Sequence, residues 1–264
     1  MSIDEHGFLG KEIEGYKQNI ENKFKDIFEL AYELNEYAQK IKFKFIIHNK
    51  DGQEVIAASL FIRILNGFQG AVILLKYGLT IESVVIVRST LETLFVLKRI
   101  CDDREYVRDY VKSDEKKRLK LMNIAHRNPS ALFESLRQYA TEEIITELKS
   151  KITKENIDEI QLETLAVKAG MRDYYDGVYR ILSGISHPTP RAIEKYAVVD
   201  ENRDVKSFNC GPMEDNLSET LITVIGLLNL ALESVLKLFK LNEEEKLTYF
   251  EEKERITINK YLNK

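Results

Sequence analysis

Glycine and proline are scarce in this chain, 12 and 4 of 264 residues, where ordinary usage is about 7% and 5%. Strand-and-turn architectures need both, so the shortage points to helices. The two cysteines, Cys101 and Cys210, have no CxxC neighbour and no histidine at zinc spacing. That argues against a disulfide framework or a structural zinc and fits a reducing compartment. Neither charge sign dominates: 39 Lys and Arg against 43 Asp and Glu leave a net charge of −4. Any binding of nucleic acid or anionic membrane must then be local. Neither GxGxxG nor GxxxxGK[ST] occurs, which speaks against nucleotide-driven motor or kinase chemistry. The opening MSIDEHGFLGKEIEG is acidic and lacks an apolar core, so it does not read as a signal peptide, and a cytoplasmic protein is expected.

With 44% hydrophobic and 31% charged residues, the chain can bury a sizeable core in one domain or two closely packed ones. Apolar residues at steps of three and four from Phe8 to Lys40 predict one long helix, and Asn49 to Gly52 supply a connector. From Val55 to Tyr77 and from Thr80 to Cys101 apolar residues cover nearly every face. This predicts a buried hairpin with Gly78 as its C′ residue and Thr80 as the next N-cap. Arg63, Lys76, Glu82, Arg88 and Glu92 interrupt both runs, so neither is read as a membrane span. A surface helix is expected over Asp103–His126, a second from Ser130 to about Lys151, a third from Thr153 to near Gly170, and a fourth from Met171 to Ser186. His-Pro-Thr-Pro stops the last of these. Arg191 to Pro212 reads as a long loop with KYAVV its one strand-like run, and two further helices follow from Glu214 and Asn242.

Polar groups inside apolar helices carry the functional information, because a buried charge is costly unless paired. Arg88 and Glu92 stand four apart in VVIVRSTLETLFVL, so they share a face. They form either a structural ion pair or the wall of a polar pocket with Arg88 as its anion contact. In YRILSGISHPTPR, Arg180 and His187 are seven apart, which sets them within about 20° around a helix axis. The shared face requires that Gly184 not break the helix. His187 would stand at the helix C-terminus, a position that suits a cation, or would simply cap it. Ser183 and Ser186 lack a nucleophile elbow, which argues against serine hydrolysis.

The Arg-x6-His spacing in an all-helical chain resembles the HEPN superfamily signature, in which four to six residues separate the pair. The combination of RSTLE with Tyr179-x3-Ser183-x3-His187-Pro188 is also similar to bacterial helical families of uncharacterised function, some linked to phage defence. The HEPN resemblance implies metal-independent RNA cleavage by Arg180 and His187, with the 2′-hydroxyl attacking the adjacent phosphate. It also implies a homodimer in which two such motifs meet. Arginine offers a fixed, always-charged fork and histidine exchanges a proton near neutrality, which suits this chemistry.

The other histidines, His6, His48 and His126, lack a ligand partner at the spacing a bundle metal site needs. No metal and no cofactor are expected, and His126-Arg127-Asn128 is read as a decoy. Between Lys98 and Arg127 ten Lys and Arg face six acids. Tyr106 and Tyr110 interleave with this patch, whose Lys116, Lys117, Arg118 and Lys120 would either contact RNA or form a solvated face.

The expectation is therefore an all-α, multi-helix bundle of about eight helices with a long loop after His187. It forms a single helical domain, 1–264, with residues 1–50 as part of it or as an N-terminal helical arm. The functional reading is a HEPN-like ribonuclease or toxin component in bacterial stress or phage defence. Arg180 and His187 are its catalytic residues, and Arg88, Glu92, Tyr179 and Ser183 support the pocket. The expected partners are an RNA substrate, a second copy and a protein regulator, with no membrane. The alternative is a non-catalytic helical sensor or scaffold that binds a protein or small ligand through Arg88, Glu92 and His187.

Overall fold

The computed structural model describes residues 3–261. In chain order these form α1 (Ile3–His6), α2 (Ile13–Lys23), α3 (Lys25–Lys42), α4 (Gly52–Lys76), α5 (Thr80–Asp102), α6 (Tyr106–Arg127), α7 (Glu134–Arg137), α8 (Glu142–Lys154) and α9 (Leu162–Lys168). A π-helical turn (Tyr174–Tyr179) runs into α10 (Arg180–Ser186), followed by α11 (Pro190–Glu194), strands β1 (Ala197–Val199) and β2 (Val205–Phe208), α12 (Leu217–Leu238) and α13 (Glu244–Tyr261). The fold is all-α with one small antiparallel hairpin, and eight of the described helices exceed ten residues.

In place of the single domain expected, the described chain divides into two compact units: Asp103–Leu165, and the residues before and after it. In the larger unit α4 and α5 form the antiparallel hairpin that their apolar sequences predict. Asp51 caps α4 by accepting from the Gln53 and Glu54 amides, at 3.0 and 3.3 Å. Gly78 closes it at φ +72°, with Leu79 N–H donating to Leu74 at 3.0 Å, the Schellman arrangement. Thr80 is not the N-cap. Helix α5 already includes it, and its hydroxyl donates instead to the Met213 carbonyl at 2.7 Å, tying the segment before α12 to the hairpin.

Helix α12 packs on both hairpin helices, α10 on α5, and α13 on α12 and α3. Phe28, Phe61, Phe68, Phe95 and Phe250 are fully buried. Residues 1–50 are no arm: Ile27, Phe28, Ala31 and Leu34 of α3 are core. Nor is Phe8–Lys40 one helix, because Phe24 leaves helical geometry at φ −110° and ψ 30° and separates α2 from α3.

By length and composition α4 and α12 could each cross a bilayer, so Arg63 and Lys76 do not exclude α4 on that ground. Here 50% of the most apolar stretch of α4 and 67% of that of α12 are buried inside the unit.

The smaller unit holds its own core of Met122, Ala125, Ala140, Ile145 and Leu148 between α6 and α8. The helix expected from Ser130 to Lys151 is three pieces. Ser130 caps a short 3-10 turn, α7 follows, and Thr141 opens α8 by accepting from the Ile144 amide. Thr153 opens nothing; it lies within α8. Helix α13 likewise starts at Glu244 rather than directly after Asn242.

The segment after His187 is not a bare loop. Thr189 caps α11, and residues 197–208 form the hairpin, with the Tyr196 hydroxyl donating to Glu82 of α5 at 3.2 Å.

Candidate functional site

The stretch from Arg172 to Ser186 is helical throughout, but the π turn at Tyr174–Tyr179 re-aims the side chains that follow it. Tyr175 and Tyr179 stack with ring centres 5.1 Å apart and planes 12° apart. The Arg180 guanidinium lies 5.4 Å from the Tyr175 ring centre, and that of Arg88 lies 5.3 Å from the Tyr179 ring centre. Two arginines and two tyrosines thereby connect α5 to α10 by cation–π and ring-stacking contacts, each worth about 1 kcal/mol.

Arg88 is well paired. One of its Nη donors reaches the Tyr179 hydroxyl oxygen at 3.1 Å and Glu92 Oε1 at 3.2 Å, while its buried Nε has no hydrogen-bond partner. The structure thus joins Arg88, Glu92 and Tyr179, as the sequence suggests. This half-buried cluster pins α10 to α5.

Arg180 and His187 lie elsewhere, on the solvent side. Gly184 does not break α10, and the His187 amide still donates to Ser183 at 3.2 Å, so His187 takes the C-cap place with φ −88°. Because φ stays near the helical value, the His187 Cβ keeps close to its helical direction while ψ turns the chain toward Pro188. Seven helical residues separate the two by about 10.5 Å along the axis on one face. The Arg180 side chain is 60% exposed, and His187 is exposed. Between them Gly184 leaves open space, with no atom within 4 Å of where a Cβ would stand. Ser183 contributes its carbonyl to this end of the helix.

A groove of about 840 Å³ runs past Arg180 and Gly184, and His187 is not among the residues that line it. Ile181, Ile185, Pro190 and Ala192 give it an apolar wall, and Arg180, Arg191 and Lys195 outnumber the carboxylate of Asp176. Asp176 accepts from Arg172 Nε at 3.1 Å and from Arg180 Nη2 at 3.5 Å. One carboxylate thus occupies two guanidinium groups, an arrangement a phosphate could replace. Sequence reasoning did not single out Tyr175, Asp176, Arg191 or Lys195. Tyr175 and Asp176 sit five and four residues before Arg180, close enough to have been suspected.

Lys116, Lys117, Arg118 and Lys120 lie in the smaller unit, where the fold adds Asp158 and Glu159 to the acids already counted nearby. Lys116 meets Asp158 at 3.4 Å, Lys120 meets Glu159 at 2.8 Å, and Arg118 meets Glu115 at 3.9 Å. Hydrogen bonding from Lys120 holds the Glu159 carboxyl below its usual range, as Lys112 does for Glu155. Of the four cations named, Lys117 alone stands exposed without an ion pair among the described residues. His126 donates from Nδ1 to the Ala140 carbonyl at 2.8 Å, a contact that fastens α6 to the start of α8. No cluster of three His, Cys, Asp or Glu side chains suited to a metal ion occurs among the described residues.

Comparison with curated proteins and with solved structures returns no match. Residues 54–205, 152 of the 264, match the profile of a family of unknown function, DUF5677. The match runs from α4 through the smaller unit to β2 and takes in Arg88, Glu92, Arg180 and His187. The chain belongs to the DUF5677 family.

Proposed function

We propose that this chain is a HEPN-like, metal-independent endoribonuclease or toxin component of bacterial stress or phage defence, working on RNA in the groove along α10. The observation that carries the reading is that α10 exposes Arg180 and, at its C-cap, His187 about two turns apart, with no atom within 4 Å of a Cβ on Gly184 between them. A phosphate there would lie between an always-charged fork and a titratable ring.

In the proposed reaction the ribose 2′-oxygen attacks the adjacent phosphorus. The P–O2′ bond forms, the P–O5′ bond breaks, and Arg180 neutralises the non-bridging oxygens as charge builds on them. The 2′-hydroxyl proton leaves to solvent water, and the His187 imidazolium gives its proton to the departing 5′-oxygen. Solvent then recharges the ring, so no proton is consumed overall. The products are a cyclic phosphate and a 5′-hydroxyl. In this scheme Tyr175 and Asp176 orient Arg180, and Arg88, Glu92 and Tyr179 hold the helix that presents it.

One observation favours the alternative of a non-catalytic sensor or scaffold. Arg88 is held by both Glu92 and Tyr179 across α5 and the π turn, as expected of a strut. On that reading the groove receives a protein partner or a small anion.

Incubating purified protein with total RNA in EDTA separates the two. Cleavage that leaves cyclic phosphate ends, and that falls by about 100-fold or more in both Arg180→Ala and His187→Ala, supports the enzyme. Both side chains are exposed, so circular dichroism should remain unchanged. RNA left intact by the parent protein refutes the enzyme reading and leaves the scaffold.

A further inference from the structure

Helix α11 is five residues long, too short to persist alone, yet its orientation against α10 is fixed. Pro190 opens it, and the Thr189 hydroxyl oxygen accepts from the Ala192 amide at 3.3 Å. The same hydroxyl donates to the Gly184 carbonyl of α10 at 3.3 Å, and Ala192 is buried. Arg191 and Lys195 stand four residues apart, and Lys195 keeps helical geometry at φ −62° and ψ −21°. They therefore share one face, about 6 Å apart along the axis, and both line the groove that Arg180 enters. Glu194 precedes Lys195 but does not line it. Both cations are exposed, and neither has an ion-pair partner among the described residues. Two like charges at this spacing work against a helix, so α11 itself gains nothing from them. Lys116 and Lys120, by contrast, each meet a carboxylate.

We propose that α11 completes the RNA site: Arg191 and Lys195 hold a phosphate neighbouring the one at Arg180, and a base of the same strand lies against Ile181, Ile185 and Pro190. The inference rests on the reading of this groove as an RNA site. Charge supplies the first argument. Three cations and one carboxylate, Asp176, line the groove. A single phosphate at Arg180 would leave Arg191 and Lys195 unanswered, whereas a strand that repeats its charge answers all three. The apolar wall supplies the second. Ile181 is 66% exposed, and a free phosphate would leave it wet. A duplex stacks its base faces inward, so only a single strand brings flat apolar surface beside its phosphates. No aromatic ring lines the groove, so the base is held by apolar contact, with little preference among bases.

Fluorescence anisotropy tests the subsite with a single strand of about 12 nucleotides, 2′-O-methylated throughout so that it cannot be cleaved, between about 50 and 200 mM salt. Arg191→Ala and Lys195→Ala should each weaken binding by about fivefold. Each should also lower the slope of log affinity against log salt by about 0.7, and Lys195→Arg should keep the parent slope. Asp176→Asn should tighten binding by about threefold, a gain that misfolding cannot mimic. Ile181→Ser should weaken the strand by about fivefold with the slope unchanged, and the matching duplex should not respond to it. Lys50→Ala, in the exposed connector before α4, should leave binding unchanged. The proposal is overturned if the parent does not bind the strand, if both cation variants keep the parent affinity and slope, or if strand and duplex respond alike to Ile181→Ser. Unmodified RNA cleaved by a parent whose cation variants bind normally would remove the subsite and leave the ribonuclease. Unmodified RNA left intact while the methylated strand binds as described would remove the ribonuclease and leave the subsite.

Discussion

Substitution at Gly184 separates the stability of α10 from the use of its exposed face. The position is regular helix, and a side chain there meets no atom within 4 Å. Gly184→Ala should therefore stabilise the protein by about 0.5–1 kcal/mol through helix propensity. In a chain of this size that raises the melting temperature by about 1–4 °C. Gly184→Leu should fold equally well, because its side chain projects into the groove rather than into the core. For catalysis the prediction reverses. A phosphate seated over Gly184 must move by about 1 Å or more to clear a leucine, and such a displacement costs about 100-fold in rate. Single-turnover cleavage of a short RNA, read beside thermal melting of the same samples, measures both. Gly184→Leu cleaving within about threefold of the parent would show that no phosphate passes over this residue. Gly184→Ala melting below the parent would show that the helix depends on glycine there, and the shared-face argument would fall with it.

Four further outcomes are expected. Gly78→Ala should cost about 2–4 kcal/mol, adding a left-handed φ to a methyl placed 2.5 Å from Pro212 Cβ, whereas Gly170→Ala, at φ +68° with no neighbour, should cost only about 1 kcal/mol; urea midpoints give the difference. Burial raises the Glu254 carboxyl above 4.5, partly offset by the hydrogen bond from Asn229. The native state then binds that proton more tightly than the unfolded chain, so stability falls as pH rises from the unfolded value through the native one. Glu254→Gln should flatten this decline and stabilise the protein at about pH 8, and urea unfolding across pH that finds the variant weaker there would refute it. Burial, helped by Asp102, pushes the Cys101 thiol up to about 12, so a thiol reagent should titrate the exposed Cys210 at once and Cys101 only after unfolding. Tyr175→Leu should lower RNA cleavage by about tenfold by freeing Arg180, and Tyr175→Phe, which keeps the stack, should restore it.

What could be read from the sequence depended on how far apart the deciding residues lie. The α4–α5 hairpin was legible because its signals are local: continuous apolar faces, a turn at Asn49–Gly52, and a glycine whose left-handed φ ends α4. Arg88 and Glu92 were legible for the same reason, since four residues on a helix bring side chains together whatever surrounds them. The break at Phe24 was not, because neither glycine nor proline marks it and the three-four spacing of apolar residues continues through it. The hairpin after α11 was missed because its turn carries no Asn-Gly pair. Arg203 adopts φ 67°, while the Asp200 carboxylate accepts from the Asn202 and Asp204 amides at 2.9 Å. An aspartate turn of this kind does with a side chain what glycine does with backbone freedom.

The candidate site shows the same division. The Arg180 and His187 face follows from counting by 100°, and α10 is regular over that interval. The π turn just before it cannot be counted, since one residue added to a turn leaves no compositional mark, yet it sets which neighbours Arg180 meets. Tyr175 and Asp176 become its partners through that geometry. Lys116 and Lys120 make the complementary case. Their charge was visible within one helix, but its neutralisation comes from Asp158 and Glu159, about 40 residues later and beyond α8. A local excess of cations therefore says little about anion binding until the fold has placed the acids. The cations of the α10 groove differ on this point: Arg191 and Lys195 have no ion-pair partner among the described residues, and the one carboxylate present, Asp176, lies at the surface where a phosphate can displace it.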